Sequence, residues 1–368
     1  MTDTRNLQRN LGVDALRVLA TFMVLILHIL NIGGIIRQTP TNSPAYWSGL
    51  VLFLAAFSAV NCYGLISGYV GLYARYRYAK LAMLWLQVVF YNLVGLVVLA
   101  FVVGQPLEAM DFWQAFSPLI HRSFWYFTAY FGLFFLMPIL NRGVQALTAP
   151  QARMLGWSLV VLFSLAPTLM GADWFVTQAG YTALWLVLLY LLGACMRKGQ
   201  ILSRTPGWVL LGIYLLGVAV SVLLRWILLA QSIQIGTVQY NSYTLISYTS
   251  PTILLCAMAL LGLFARRSFR GRWSRRLIGT LAPASFGIYI LHMQPQIQDW
   301  LFNLPLFAWV VQQNAAILVA VVLLMGLCLY IVCWAVEYLR QWIFRILRIQ
   351  KRLERLETKL LGNFWDAH

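Results

Sequence analysis

Ten apolar runs decide what this chain can fold into. They lie near 11–36, 48–73, 81–103, 123–140, 153–171, 180–196, 207–229, 246–265, 280–303 and 314–336. Wound as α-helices at about 1.5 Å per residue, runs of this length match a hydrocarbon layer about 30 Å thick. Hydrocarbon offers the backbone no partner, so a run buried in it must satisfy its own N–H and C=O groups, and a helix does so. The connections near 37–47, 104–122 and 230–245 are the longest on their side and too short to fold alone. With 61% hydrophobic and 10% charged residues, the expected fold class is all-α: a polytopic membrane protein of about ten transmembrane helices over 1–336, followed by a basic amphipathic helix over 337–368.

Charge orients this bundle. Of the 27 Lys and Arg, all but Arg17, Arg37, Arg122 and Arg225 precede the first run, follow the last, or fall in alternate connections. Positively charged loops stay in the cytoplasm, so both termini are expected there. The opposite face carries Glu108, Asp111, Asp173 and Asp299. The net charge of +17 is therefore read as a topology signal, and no nucleic-acid partner is expected. Met1–Asn10 is polar and the first run is too long and too charged for a signal core, so the first helix is expected to be retained. The five cysteines, Cys62, Cys195, Cys256, Cys328 and Cys333, lie in apolar runs without a CxxC or a histidine at ligand spacing. They read as small hydrophobes, and neither a disulfide framework nor a metal is expected. No internal repeat is evident, which weakens a transporter built from two similar halves.

Against this background the first run stands out. At about 100° per residue, Asp14, Arg17, Thr21 and His28 fall within about 60° of one another around a helix. Ionisable groups at membrane depth are costly and mark functional sites by default. Counted from the cytoplasmic ends of their runs, His28 is about 26 Å deep and His292 about 18 Å deep. Both thus fall in the outer half, whereas Arg17 falls in the inner half. Two imidazoles at similar depth, one sharing a stripe with Asp and Arg, are candidates for chemistry, although a lone helical histidine is ordinarily structural. Asp14 is about four turns from His28, too far for contact in a straight helix, and is expected to pair with Arg17.

Other polar positions leave alternatives open. Asn61, Ser67, Gly68 and Tyr69 in the second run suit either close helix packing or the lining of a cavity. Arg77 and Lys80, three apart and on one helical face, could hold an anionic ligand's phosphates or anchor the chain to lipid headgroups. Trp125, Tyr126 and Tyr130 suit an aromatic belt at the outer interface. In the tail, Trp342, Ile346, Ile349, Leu353, Leu356 and Leu360 follow a heptad seam, so Arg352 and Glu357 could pair across a homodimer. The same cations would equally hold the helix on an anionic leaflet, with membrane lipids as partners.

Several of these stretches together resemble acyltransferase family 3. The resemblance rests on Asp14-x-Leu16-Arg17, on Arg17 and His28 with ten residues between them, and on LISGYV at Leu65–Val70. Arg77-Tyr-Ala-Lys80 adds to it, with Lys where the family has Arg. FWYF at Phe124–Phe127 before MPILN at Met137–Asn141, and SFGIYILH at Ser285–His292, complete the set. It covers roughly 11–336 and, within the family, is nearest to bacterial inner-membrane O-acetyltransferases such as those acting on enterobacterial common antigen.

The resemblance implies an acyl-CoA donor from the cytoplasm, acetyl-CoA above others, and a hydroxyl of a carbohydrate or lipid-linked glycan as acceptor. It implies multi-pass residence in the bacterial inner membrane. On this reading Arg17, Arg77 and Lys80 bind the donor and His28 is the general base. His292 assists, Asp14 orients Arg17, and Trp125, Tyr126 and Asn61 face the acceptor. A polar-lipid or glycan flippase using Asp14, Arg17 and His28 as a proton relay is the alternative.

Overall fold

A computed structural model describes residues 9–104, 106–120, 124–230, 233–235, 238–240 and 245–362. Arg122, one of the four exceptions to the charge pattern, lies outside the described residues, as do Arg5, among the cations that precede the first run, and the end of the tail beyond 362. The helices run in the order α1 (Leu11–Asn31), α2 (Ile35–Gln38), α3 (Pro44–Ala56), α4 (Ala59–Gly71), α5 (Tyr78–Val98), α6 (Ala109–Phe116), α7 (Trp125–Ala146), α8 (Ala149–Val160), α9 (Ala166–Met170), α10 (Ala183–Lys198) and α11 (Gly207–Ala230). After a hairpin of β1 (Ile233–Ile235) and β2 (Val238–Tyr240) come α12 (Pro251–Ala265), α13 (Arg272–Leu281), α14 (Ser285–His292), α15 (Pro295–Phe302), α16 (Pro305–Val311), α17 (Ala315–Ile346) and α18 (Ile349–Leu361). The hairpin is antiparallel, with Ile233 opposite Tyr240 and Ile235 opposite Val238.

Seven helical stretches among the described residues are long and apolar enough to cross a membrane: Leu11–Gln38, Pro44–Gly71, Tyr78–Phe101, Trp125–Ala146, Ala149–Met170, Gly207–Leu229 and Ala315–Ile346. Large apolar side chains on α11 and α17, among them Leu216, Trp226, Leu324 and Val332, are exposed, as lipid-facing surfaces are. The chain is a multi-pass membrane protein. The other three expected spans take a different form. Two are the short helices α10 and α12, of 16 and 15 residues. The third, expected to run unbroken over 280–303, is divided. A 3-10 turn at Ala282–Ala284 containing Pro283 precedes α14, and Pro295 follows it. Proline drives the residue before it out of the helical region, and Gln294 has φ −60° and ψ 123°. His292 consequently ends a helix instead of sitting in the middle of one.

The first run is the hub. Asn10 caps α1 by accepting from the Val13 N–H. From there α1 packs against α3, α4, α12, α14 and α17, so its polar stripe faces protein instead of lipid. The small residues of the second run serve both readings left open above. A Cβ on Gly68 would come within 1.8 Å of the Tyr190 carbonyl oxygen, and one on Gly193 within 2.1 Å of that of Leu65. The backbones of α4 and α10 therefore touch at glycine. Meanwhile Tyr63 and Ser67 of α4 line a cavity.

The boundary expected between 336 and 337 falls inside α17. That helix continues ten residues further, and Glu337 and Arg340 are buried in the bundle. It ends at Leu347 and Arg348, where Arg348 has φ 52°, so the heptad seam is interrupted and α18 is a separate helix. The Glu357 carboxylate, expected to be available across a dimer, instead accepts from the backbone N–H of Tyr78 at 2.7 Å and of Ala79 at 3.3 Å.

Candidate functional site

A cavity of about 490 Å³ runs beside α1. Arg17, Thr21, Val24 and His28 line it, at intervals of four, three and four residues, so one face of α1 supplies an entire wall. Arg17 and His28 are separated by about 16 Å along the helix axis. Across from them, Ser285, Tyr289 and His292 of α14 line the cavity at the same kind of spacing, and Tyr63 and Ser67 do so from α4.

The Arg17 end is held by paired charge. Asp14, buried, accepts from Arg17 Nη1 at 2.8 Å and also from Arg9. This fixes the guanidinium while leaving its remaining N–H groups for a ligand. One turn on, Thr21 donates to the Arg17 carbonyl at 2.8 Å and accepts from the Tyr63 hydroxyl at 2.5 Å. Between the guanidinium and the imidazoles the α1 side of the cavity is polar at Thr21 and apolar at Val24 and Leu27.

The two histidines meet at the other end. His28 Nδ1 and His292 Nε2 are 2.7 Å apart, with ring centroids at 5.0 Å and planes tilted by 36°. His292 Nδ1 lies 2.6 Å from the Ile288 carbonyl oxygen. A carbonyl only accepts, so Nδ1 carries the hydrogen, and in a neutral imidazole Nε2 is then the lone-pair nitrogen. This pattern assigns the tautomers of both rings. His28 donates from Nδ1 to His292, and His28 Nε2 keeps its own lone pair, with no hydrogen bond to a described residue. A carbonyl, an imidazole and a second imidazole in series orient one basic nitrogen in a confined space. A nitrogen so oriented is able to accept a proton from a group in the cavity.

Aromatic rings close the cavity near the N-terminal ends of α7 and α10. Trp125 packs on Tyr181 at 5.1 Å, and Tyr181 on Tyr248 at 5.0 Å. Trp125 and Tyr126 thus line the cavity and are not only a belt against lipid. Asn61 does not reach it. It is fully buried behind the wall, donating to the Tyr248 carbonyl at 2.7 Å and accepting from Trp185 Nε1 at 3.1 Å. With its amide engaged on both sides it ties the Tyr248 segment to α4 and α10.

Arg77 and Lys80 do not line the cavity either. Arg77 is the extended residue that precedes α5, with φ −151° and ψ 127°, so the two do not share a helical face as their spacing implies. Lys80 Nζ donates to the Arg75 carbonyl at 2.7 Å, and Arg77 faces a separate cleft beside α18. Conversely, sequence reasoning passed over Tyr63, Ser285 and Tyr289 as site residues. Their signal was present: Ser285, Tyr289 and His292 recur at four and three residues, the same polar stripe that singled out α1.

Residues 10–338 match the family model described as an acyltransferase domain, in acyltransferase family 3. No curated protein and no solved structure matches the chain.

Proposed function

The chain belongs to acyltransferase family 3, and we propose that it transfers an acyl group, acetyl above others, from cytoplasmic acyl-CoA to a hydroxyl of a cell-surface or lipid-linked glycan. The observation that carries this reading is that one cavity is lined both by Arg17 and by the His28–His292 pair. Acyl-CoA is anionic at its nucleotide end and reactive at its thioester, with a thin arm between. A cation and a base about 16 Å apart along one helix suit that shape.

In the proposed reaction His28 Nε2 takes the proton of the acceptor hydroxyl as its oxygen attacks the thioester carbonyl carbon. A C–O bond forms, and collapse of the tetrahedral intermediate breaks the C–S bond. The imidazolium of His28 then returns the proton to the departing CoA thiolate, leaving ester and free thiol. His292 stabilises the charge that develops on His28 by accepting from its Nδ1–H. The hydroxyls of Tyr289 and Ser285, on the wall shared with His292, are candidates to donate to the oxyanion. Trp125 and Tyr126 offer flat apolar faces against which a sugar ring can lie.

We place the protein in the bacterial inner membrane with both termini in the cytoplasm. The seven long helices, with α10, α12 and the divided α14–α15 segment, would then make ten crossings. Direct transfer is preferred because, among the described residues, the cavity is lined by no cysteine and no serine hydrogen-bonded to a histidine for an acyl-enzyme. The test is to incubate purified protein with radiolabelled acetyl-CoA and membrane glycolipid extract. Label should move to the glycan in the wild type and not in His28→Ala. Glycolipid translocation without label transfer would overturn the reading in favour of a flippase.

A further inference from the structure

The start of α5 and the tail helix α18 form a second charged feature, apart from the cavity. Lys351, Arg355 and Lys359 recur every four residues, which places them on one stripe of α18. With Arg77 they line a surface cleft of about 490 Å³ that also contains Glu354 and Thr358. None of these four cations forms an ion pair with a described residue. Glu354 accepts from Gln350 at 3.0 Å through one oxygen and keeps its negative charge, so the cleft stays net positive with four cations against one carboxylate.

Like charges on one stripe repel, so their convergence on a fourth cation, Arg77 just before α5, needs something to hold it. That something is Glu357. Helix α5 has no side-chain cap of its own, because Arg77 has no acceptor to offer. The Glu357 carboxylate supplies the cap from the tail, bonding the first two amides of α5 at 2.7 and 3.3 Å. Negative charge at a helix N-terminus is favourable, and here it fixes α18 in the register that turns its cationic stripe toward Arg77. Leu356 and Leu360, on another face of α18, are exposed.

We propose that Arg77, Lys351, Arg355 and Lys359 form a binding site for a phosphate-bearing ligand, completed by the tail helix and held open by Glu357. Four cations around one cleft suit a diester or clustered phosphates, which the nucleotide end of a coenzyme and the headgroup of an anionic phospholipid share. The site lies largely on residues beyond the family match, which ends at 338. It stands whether or not the chain transfers an acyl group.

The test uses the full chain in two arms. In the first, coenzyme A is titrated onto protein in phosphatidylcholine nanodiscs. In the second, native mass spectrometry measures retention of phosphatidylglycerol over phosphatidylcholine. The triple variant Lys351→Gln, Arg355→Gln, Lys359→Gln is compared with Arg272→Gln, Arg275→Gln, Arg276→Gln, an equal charge change on α13. Loss of about tenfold or more in either arm, confined to the first triple, is expected from the removal of charge-assisted contacts. A loss in the first arm identifies the coenzyme, and one in the second identifies the lipid. No change in both arms, or an equal loss from the α13 triple, would overturn the site.

Discussion

His28 and His292, 264 residues apart in the chain, share a hydrogen bond of 2.7 Å between Nδ1 and Nε2. The bond makes them one unit, with His292 anchored to the Ile288 carbonyl and His28 presenting the basic nitrogen. Replacing His28 with Ala should therefore lower acyl transfer by about 10²–10⁴-fold, the usual contribution of a positioned base. His292→Ala should cost less, because the base remains but is no longer aligned. The double variant should be little worse than His28→Ala alone, since residues that act as a unit are not additive. Single-turnover rates at saturating donor, on equal amounts of folded protein, give the comparison; additive losses would separate the two histidines.

On the proposed reading Arg17 holds the donor. Its replacement by Ala should weaken acyl-CoA binding by about tenfold, the equivalent of one charge-assisted hydrogen bond, with a smaller effect on the rate at saturation. Asp14→Asn should act in the same direction and less strongly, because it removes an orienting partner and not the guanidinium. Equilibrium titration of coenzyme A onto the two variants measures both effects. An unchanged dissociation constant in Arg17→Ala would remove it from donor binding.

Much of this site is legible in the sequence. Helix periodicity put Asp14, Arg17, Thr21 and His28 on one stripe, and all but Asp14 line the cavity, with Asp14 paired to Arg17. Depth counting put His28 and His292 at a similar level, and they touch. What periodicity cannot supply is the rotation of one helix relative to another. The His–His bond, the loss of Asn61 to a structural tie and the separation of Arg77 from Arg17 all depend on it. Within 246–265 and 280–303 it is the helix boundaries, and not the apolar runs themselves, that were illegible, for a local reason. Hydropathy sums over Ser250-Pro251 and Pro283 to Pro295 without registering that proline starts or stops helices there.

Asp173, in the connection between α9 and α10, has a pH signature that can be followed. Desolvation raises its pKa, but this is outweighed by the hydrogen bonds it accepts from the Thr177 N–H and hydroxyl and the Gln178 N–H, at 2.8, 2.8 and 2.7 Å. The net result lies below the ordinary carboxylate value. A depressed folded-state pKa contributes stability that is present above the unfolded value and lost as pH falls through the folded one. Amide exchange at Thr177 and Gln178 should thus be slowed at neutral pH, with that protection fading in acid below the usual carboxylate range. In Asp173→Asn the protection should be weak at neutral pH and indifferent to acid; an unchanged acid transition in the variant would exclude Asp173 as its source.

Glu337 holds α14 from the far side. It is fully buried, accepts from Arg340 Nε and Nη2 at 2.8 and 2.6 Å, from the Tyr91 hydroxyl at 2.5 Å and from Gln87 and Gln341 at 3.1 and 2.8 Å. A Cβ at Gly287 would lie 2.2 Å from its Oε2, so α14 approaches the carboxylate at a glycine five residues before His292. Removing one partner of a buried pair leaves an uncompensated charge, and Glu337→Ala should cost about 3–5 kcal/mol, seen as a lower midpoint of thermal unfolding in detergent. The double change Glu337→Leu with Arg340→Met should recover much of that loss, because the orphaned charge goes too. Activity should not recover with it, since the α14 backbone would then settle against a differently shaped surface and carry His292 away from its 2.7 Å contact with His28. A double variant that regains both stability and transfer rate would show that Glu337 serves folding alone.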